Sequence, residues 1–76
     1  MREQIHVTFP PGLEREPTVY RLGQEFGLGT TIRRANVDET TSWFILDLEG
    51  TEEAIDRAVG WLIDLGAKVD RIPIDG

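Results

Sequence analysis

His6 and Asp47 are the residues of this chain best placed by type to move a proton. Each falls in a segment of strand-like alternation, on the same side of adjacent strands. An Asp–His pair within hydrogen-bond reach is an acid–base arrangement. No nucleophile is specified beside it, so a polar cross-strand contact is the preferred reading. Arg33-Arg34 offers two guanidiniums in a row, the chemistry of an anion site. The plainer account, a solvated edge strand, is preferred. Glu52, Glu53 and Asp56 cluster where a helix begins, and serving the helix dipole explains them without a cation. Trp43 and Ile45 alternate with inward residues, which places an aromatic and a branched apolar side chain on the outer side of a strand. That pattern favours a ligand floor or an interface between subunits.

Composition removes whole classes of chemistry. The 76 residues contain no cysteine and one histidine, which excludes disulfides, iron–sulfur clusters and thiolate zinc sites. No metal and no cofactor is expected. The net charge of −6, from 14 acidic and 8 basic residues, opposes the counterion exchange that nucleic-acid binding requires. Seven of the eight basic residues are arginine, a bias that base composition alone can produce. No apolar run approaches the roughly 20 residues of a membrane span, and the first residues lack the apolar core of a signal peptide. The expectation is a cytoplasmic chain without membrane insertion. Residues 1–76 make one domain. A core of this size supplies only about 3–5 kcal/mol of net stability, and oligomerisation is the available staple.

The elements that must carry these residues follow from periodicity. Ile5, Val7 and Phe9 alternate with Gln4, His6 and Thr8, a half-buried strand ended by Pro10-Pro11-Gly12. Leu13 to Glu16 reads as a loop, and Pro17 suits a first helical turn with Glu16 at the positive dipole end. Val19, Leu22 and Phe26 define one helical face, closed by Gly27. Gly23 inside that helix suggests close approach to a strand. Leu28 to Val37 is rich in β-branched residues and reads as a strand. Leu28, Thr30 and Ile32 share one face while Ala35 and Val37 fall on the other; a bulge near Arg33-Arg34 reconciles them. Asp38 to Thr41 reads as a hairpin loop.

Phe44, Leu46 and Leu48 form the inner face of the next strand, with Trp43, Ile45 and Asp47 outside. Thr51 caps a second helix whose core stripe is Ile55, Ala58, Val59 and Leu62, extended by Leu65 and stopped by Gly66. Trp61 is expected to cover the rim of the core. A last strand carries Val69, Ile72 and Ile74, with Pro73 marking a sheet edge. The order β-α-β-β-α-β with right-handed crossovers gives an α+β, ferredoxin-like sandwich: four antiparallel strands in spatial order 4-1-3-2, and two helices on one face.

Phe26-Gly27, Thr31-Ile32-Arg33, the run from Trp43 to Glu53, Ala58 to Leu62, and Gly66 to Val69 together resemble the NIL domain. The resemblance covers nearly the whole chain and is more specific in the second half. That family includes the C-terminal regulatory domain of ATPase subunits in bacterial methionine importers, ferredoxin-fused forms and freestanding small proteins. The resemblance implies a non-catalytic, homo-oligomeric small-molecule-binding or regulatory module linked to methionine or sulfur amino-acid metabolism, with a sulfur amino acid as the candidate ligand. The family's Asn-Ile-Leu run stands here as Thr31-Ile32-Arg33, so a hydroxyl replaces the amide implicated in holding methionine. Arg33 adds a guanidinium suited to a carboxylate. The site expected from this reading is Thr31, Ile32, Arg33, Asn36, Trp43 and Ile45. The alternatives are a module that binds a protein partner, a ferredoxin or transporter component, and, more weakly, an acylphosphatase-like hydrolase. Arg33 and Asn36 suit the hydrolase, but its phosphate cradle is poorly matched by the acidic, proline-bound loop Pro10-Pro11-Gly12-Leu13-Glu14.

Overall fold

The computed structural model describes residues 1–12, 15–37 and 42–72. Its elements, in chain order, are β1 (Arg2–Phe9), α1 (Arg15–Phe26), β2 (Gly29–Val37), β3 (Ser42–Glu49), α2 (Glu52–Asp64) and β4 (Lys68–Ile72). The strands form one antiparallel sheet in the order β2-β3-β1-β4, the predicted arrangement, with β1 and β3 central. Ile5, Val7 and Phe9 of β1 and Phe44, Leu46 and Leu48 of β3 meet Leu22 of α1 and Ile55, Ala58, Val59 and Leu62 of α2 in a single core. Each large side chain buried there contributes about 1.5–3 kcal/mol of transfer free energy. Phe9 and Phe44 meet edge to face, with centroids 5.5 Å apart.

Local chemistry sets the helix ends. The Thr51 hydroxyl accepts from the Ala54 amide at 3.1 Å, and Glu52 and Glu53 occupy the first turn of α2. At the other end Gly66, with φ +97°, lets its own amide reach the Ile63 carbonyl and the Ala67 amide reach that of Leu62. This pair of bonds is a Schellman closure, with buried Ala67 and Leu62 as its apolar contact. Leu65 does not extend the core stripe: it is the C-cap residue and is 37% exposed. α1 starts two residues earlier than the proline suggests. Pro17 is its third residue, still within the first turn, where an amide has no helical acceptor to lose. Gly23 does permit a close approach: a Cβ there would lie 3.3 Å from the Leu28 carbonyl oxygen, and the Leu28 amide donates to the Gly23 carbonyl.

The predicted bulge is present. Ile32 pairs with Leu46 and Arg34 with Ile45, leaving Arg33 as the extra residue. Thr30, Ile32, Ala35 and Val37 consequently share the helix side, and Thr31, Arg34 and Asn36 the open side. The last strand lies at the sheet edge, as expected, and carries Val69 and Ile72. Ile72 pairs with Gln4 on the open side, while Arg71 pairs with Ile5 on the helix side. Arg71 reaches Glu3 through two bonds, at 2.6 and 3.0 Å, and Asp56 of α2 at 2.8 Å. An ion cluster thus closes this end of the core. Asp38 to Thr41, Pro73 and Ile74 lie outside the described residues, as do the side chain of Glu16 and the loop from Leu13 to Glu14.

Candidate functional site

The open face of the sheet is a lattice of cross-strand rows set by register. Gly29, Glu49 and Arg2 form the first. Thr31, Asp47, Gln4 and Ile72 form the second, and Arg34, Ile45, His6 and Asp70 the third. Asn36, Trp43, Thr8 and Lys68 form the fourth. Because Arg33 is the bulged residue, its side chain leaves the alternation and reaches Asp47. Its Nε–H donates to Asp47 Oδ2 at 2.6 Å, while the Gln4 amide donates to Asp47 Oδ1 at 3.0 Å. These contacts leave Asp47 only 6% exposed although it sits on the uncovered face. The Arg33 bond first, then the Gln4 bond, hold its carboxyl below the usual carboxylate range, against the opposing effect of burial.

His6 and Asp47 therefore do not pair. His6 lies one row away, stacked on Trp43 with ring centroids 5.1 Å apart, and its Nδ1 is 3.8 Å from Asp70. The stacking also covers part of Trp43, which with Ile45 is half-buried rather than open to water. Trp61 lies at the rim of the core as expected, against Phe26, with the Arg21 guanidinium 5.4 Å from its ring centre. Glu52 and Glu53 lie in the first turn of α2, behind the Thr51 cap, and among the described residues no group of three or more His, Asp or Glu side chains is arranged to hold a metal ion.

Arg2, Gly29, Thr30, Thr31, Arg33, Asp47 and Glu49 line a shallow cleft of about 170 Å³ at one end of this face. Thr31 and Arg33 of the expected site belong to it. Ile45 and Trp43 lie beyond it on the same face, one and two rows from Asp47, and Asn36 stands opposite Trp43. Ile32 points to the helix side and does not join them. Arg2 and Glu49 are charged contributors that sequence reasoning missed, and Asp47, read there as a proton-transfer candidate, joins them in the cleft. Their convergence depends on the β1–β3 register, which no local motif announces.

A single sheet with both helices packed on one face and a charged cleft on the other defines a small ferredoxin-like sandwich domain. A family profile described as "NIL domain" matches residues 3–71, and the chain belongs to that family. Among solved structures it is similar to the C-terminal domain of an ABC transporter ATP-binding protein from Enterococcus faecalis. That match has 18% identity and a TM-score of 0.79, and covers 96% of this chain and 86% of the other. An acylphosphatase from Bacillus subtilis shares the fold at 15% identity and TM-score 0.62, over 100% of this chain and 91% of that one. A prephenate dehydratase from Streptococcus mutans does so at 18% and 0.63, over 92% and 40%. At these identities the likeness is one of fold. No curated protein matches the sequence. Among the described residues no helix is long and apolar enough to cross a membrane.

Proposed function

We propose that this NIL domain is a non-catalytic regulatory module that binds a sulfur amino acid and works as a homo-oligomer. The observation that carries the ligand is the cleft, which presents both signs of charge to a small zwitterion. Arg2 and Arg33 offer guanidiniums to a carboxylate, and Glu49 offers a carboxylate to an ammonium group. Arg33 donates to Asp47 through Nε, which leaves the terminal amino groups of its fork to donate elsewhere. At about 3.3 Å per residue, Ile45 lies roughly 6–7 Å along the strand from Asp47 and Trp43 twice as far. A thioether chain laid along the face from the cleft reaches the row of Ile45, whose branched side chain gives it an apolar wall.

Calorimetry of the purified chain against methionine, homocysteine and cysteine tests this reading. Binding heat is expected for at least one of them. Arg33→Ala is expected to weaken it by about 1.5 kcal/mol or more, the scale of one charged hydrogen bond. A flat titration and no thermal shift with all three at millimolar concentration would leave the second reading, a module that docks on a protein partner. The similarity to a domain of an ABC transporter ATP-binding protein favours that alternative, with a transporter component as the partner.

A further inference from the structure

Gly29 leaves the open side of β2 without a side chain at the row it shares with Glu49 and Arg2. Nothing in the backbone calls for a glycine there. Its φ lies outside the left-handed region that Gly12, Gly27 and Gly66 occupy. A Cβ at Gly29 would meet the Glu49 Cβ at 3.6 Å, an ordinary contact. At Gly50, by contrast, a Cβ would fall 2.5 Å from Leu28, so packing alone explains that glycine. A glycine in a strand weakens it, and it marks places where a ligand or another backbone comes close. The space that Gly29 leaves belongs to the cleft, which it lines together with Arg2, Thr31, Arg33 and Glu49.

The charges beside Gly29 suit one part of a ligand. Arg2 and Glu49 stand directly opposite each other on β1 and β3, and such side chains start about 4.5–5.5 Å apart. Two opposite charges that close together match a ligand whose ammonium and carboxylate share one carbon. Among the described residues neither Arg2 nor Glu49 takes part in an ion pair. Asp47 offers the ammonium no rival seat, because Arg33 and Gln4 already hold its two oxygens. Size makes the same selection. The cleft holds about 170 Å³, close to the roughly 150 Å³ of a cavity that takes benzene, so it has room for roughly six non-hydrogen atoms. An ammonium nitrogen, an α-carbon, a carboxylate and a first side-chain carbon fill that number. The rest of a longer side chain is left outside the cleft, on the open face.

We propose that Gly29 and Glu49 set the specificity of the cleft. The bare strand at Gly29 seats the head of an α-amino acid, with its ammonium on Glu49 and its carboxylate between Arg2 and Arg33. This rests on the amino-acid half of the proposed function and names the part of the ligand that is read. Calorimetric titration of the full chain compares methionine with its α-keto acid, in which a carbonyl oxygen replaces the ammonium. Methionine is expected to bind at least about tenfold more tightly, the scale of one charged hydrogen bond. Glu49→Gln is expected to bring the two within about threefold of each other, because the group that tells them apart has lost its charge. Gly29→Val fills the cleft and is expected to weaken methionine at least about tenfold. The thermal midpoint of that variant without ligand should not fall, since valine suits a strand and the position is exposed. If Gly29→Val does not fold, Gly29→Ala repeats the comparison with a single methyl, and Glu49→Gln decides independently. Methionine binding that Gly29→Val leaves unchanged, or a keto acid bound as tightly as methionine, would overturn this proposal and leave the amino-acid reading standing. A parent chain that binds no sulfur amino acid would overturn both.

Discussion

Asp47 shows how one residue's position in the register sets its chemistry. It sits on the uncovered face, yet Arg33 and Gln4 bury and hold it, at 2.6 and 3.0 Å. The proton-transfer role that its type suggests is replaced by an anchoring role, which fixes the bulged arginine at the cleft. Asp47→Asn keeps the shape and removes the charge, and is expected to cost about 1.5–3 kcal/mol, measured by denaturant unfolding. The sign of the pH effect follows from the depressed carboxyl. The unfolded chain binds the proton near pH 3.8, the ordinary aspartate value, whereas the folded chain resists it to lower pH. This residue's stabilisation is therefore complete above the unfolded value and is lost as pH falls through the folded one. The acid limb of the stability curve should be shallower in Asp47→Asn than in the parent chain. On the helix side, Glu3 does similar work. It is 9% exposed and paired with Arg71, whose guanidinium is held still further above its ordinary pKa by Glu3 first and Asp56 second.

At the scale of elements, α2 is specified locally from end to end. Its cap, acidic first turn, apolar stripe and glycine stop lie within the sixteen residues from Thr51 to Gly66. Thr51→Ala should cost about 1 kcal/mol in thermal unfolding, since the Ala54 amide loses its acceptor. Leu62→Ala should cost about 2–5 kcal/mol, because a side chain 1% exposed leaves a cavity in the middle of the core. A Leu62→Ala midpoint within error of the parent chain would place the stripe in solvent, contrary to the packing described here. β2 is the opposite case. Its phase conflict was readable and correctly implied a bulge, but what the bulge does emerges only against β3: it aims Arg33 at Asp47 and moves Ala35 and Val37 to the helix side.

For the whole molecule, a chain this short has few ways to add stability beyond one core. The oligomer and the bound amino acid proposed above would each couple to folding by mass action. If a sulfur amino acid binds the folded chain alone, saturation at about 100 times the dissociation constant adds about 2.7 kcal/mol. Scanning calorimetry should then show a transition temperature that climbs with ligand concentration. A transition that rises with protein concentration in the absence of ligand would report the proposed oligomer instead.

The sequence by itself determined whatever depends on neighbours along the chain. Alternation in β1 and β3, the capped periodicity of α2, the breaks at Pro10 and Gly66 and the order of elements led to the sheet order and the family. These signals survive in one dimension because hydrophobic period and capping chemistry act over a few residues. Tertiary structure alone decided which side chains from distant strands meet. The pairing of Asp47 with Arg33 and Gln4 spans 14 and 43 residues, and that of Arg71 with Glu3 spans 68. The β4 register turned Arg71 inward and Ile72 outward against their hydrophobicity, because Glu3 and Asp56 were waiting where Arg71 arrives. The exposure of Ile32 and Val37 on the helix side is likewise set by the packed layers and not by the local pattern. A one-residue change of register moves every side chain of a strand to the other face, and no local pattern in this chain fixes the register of β4.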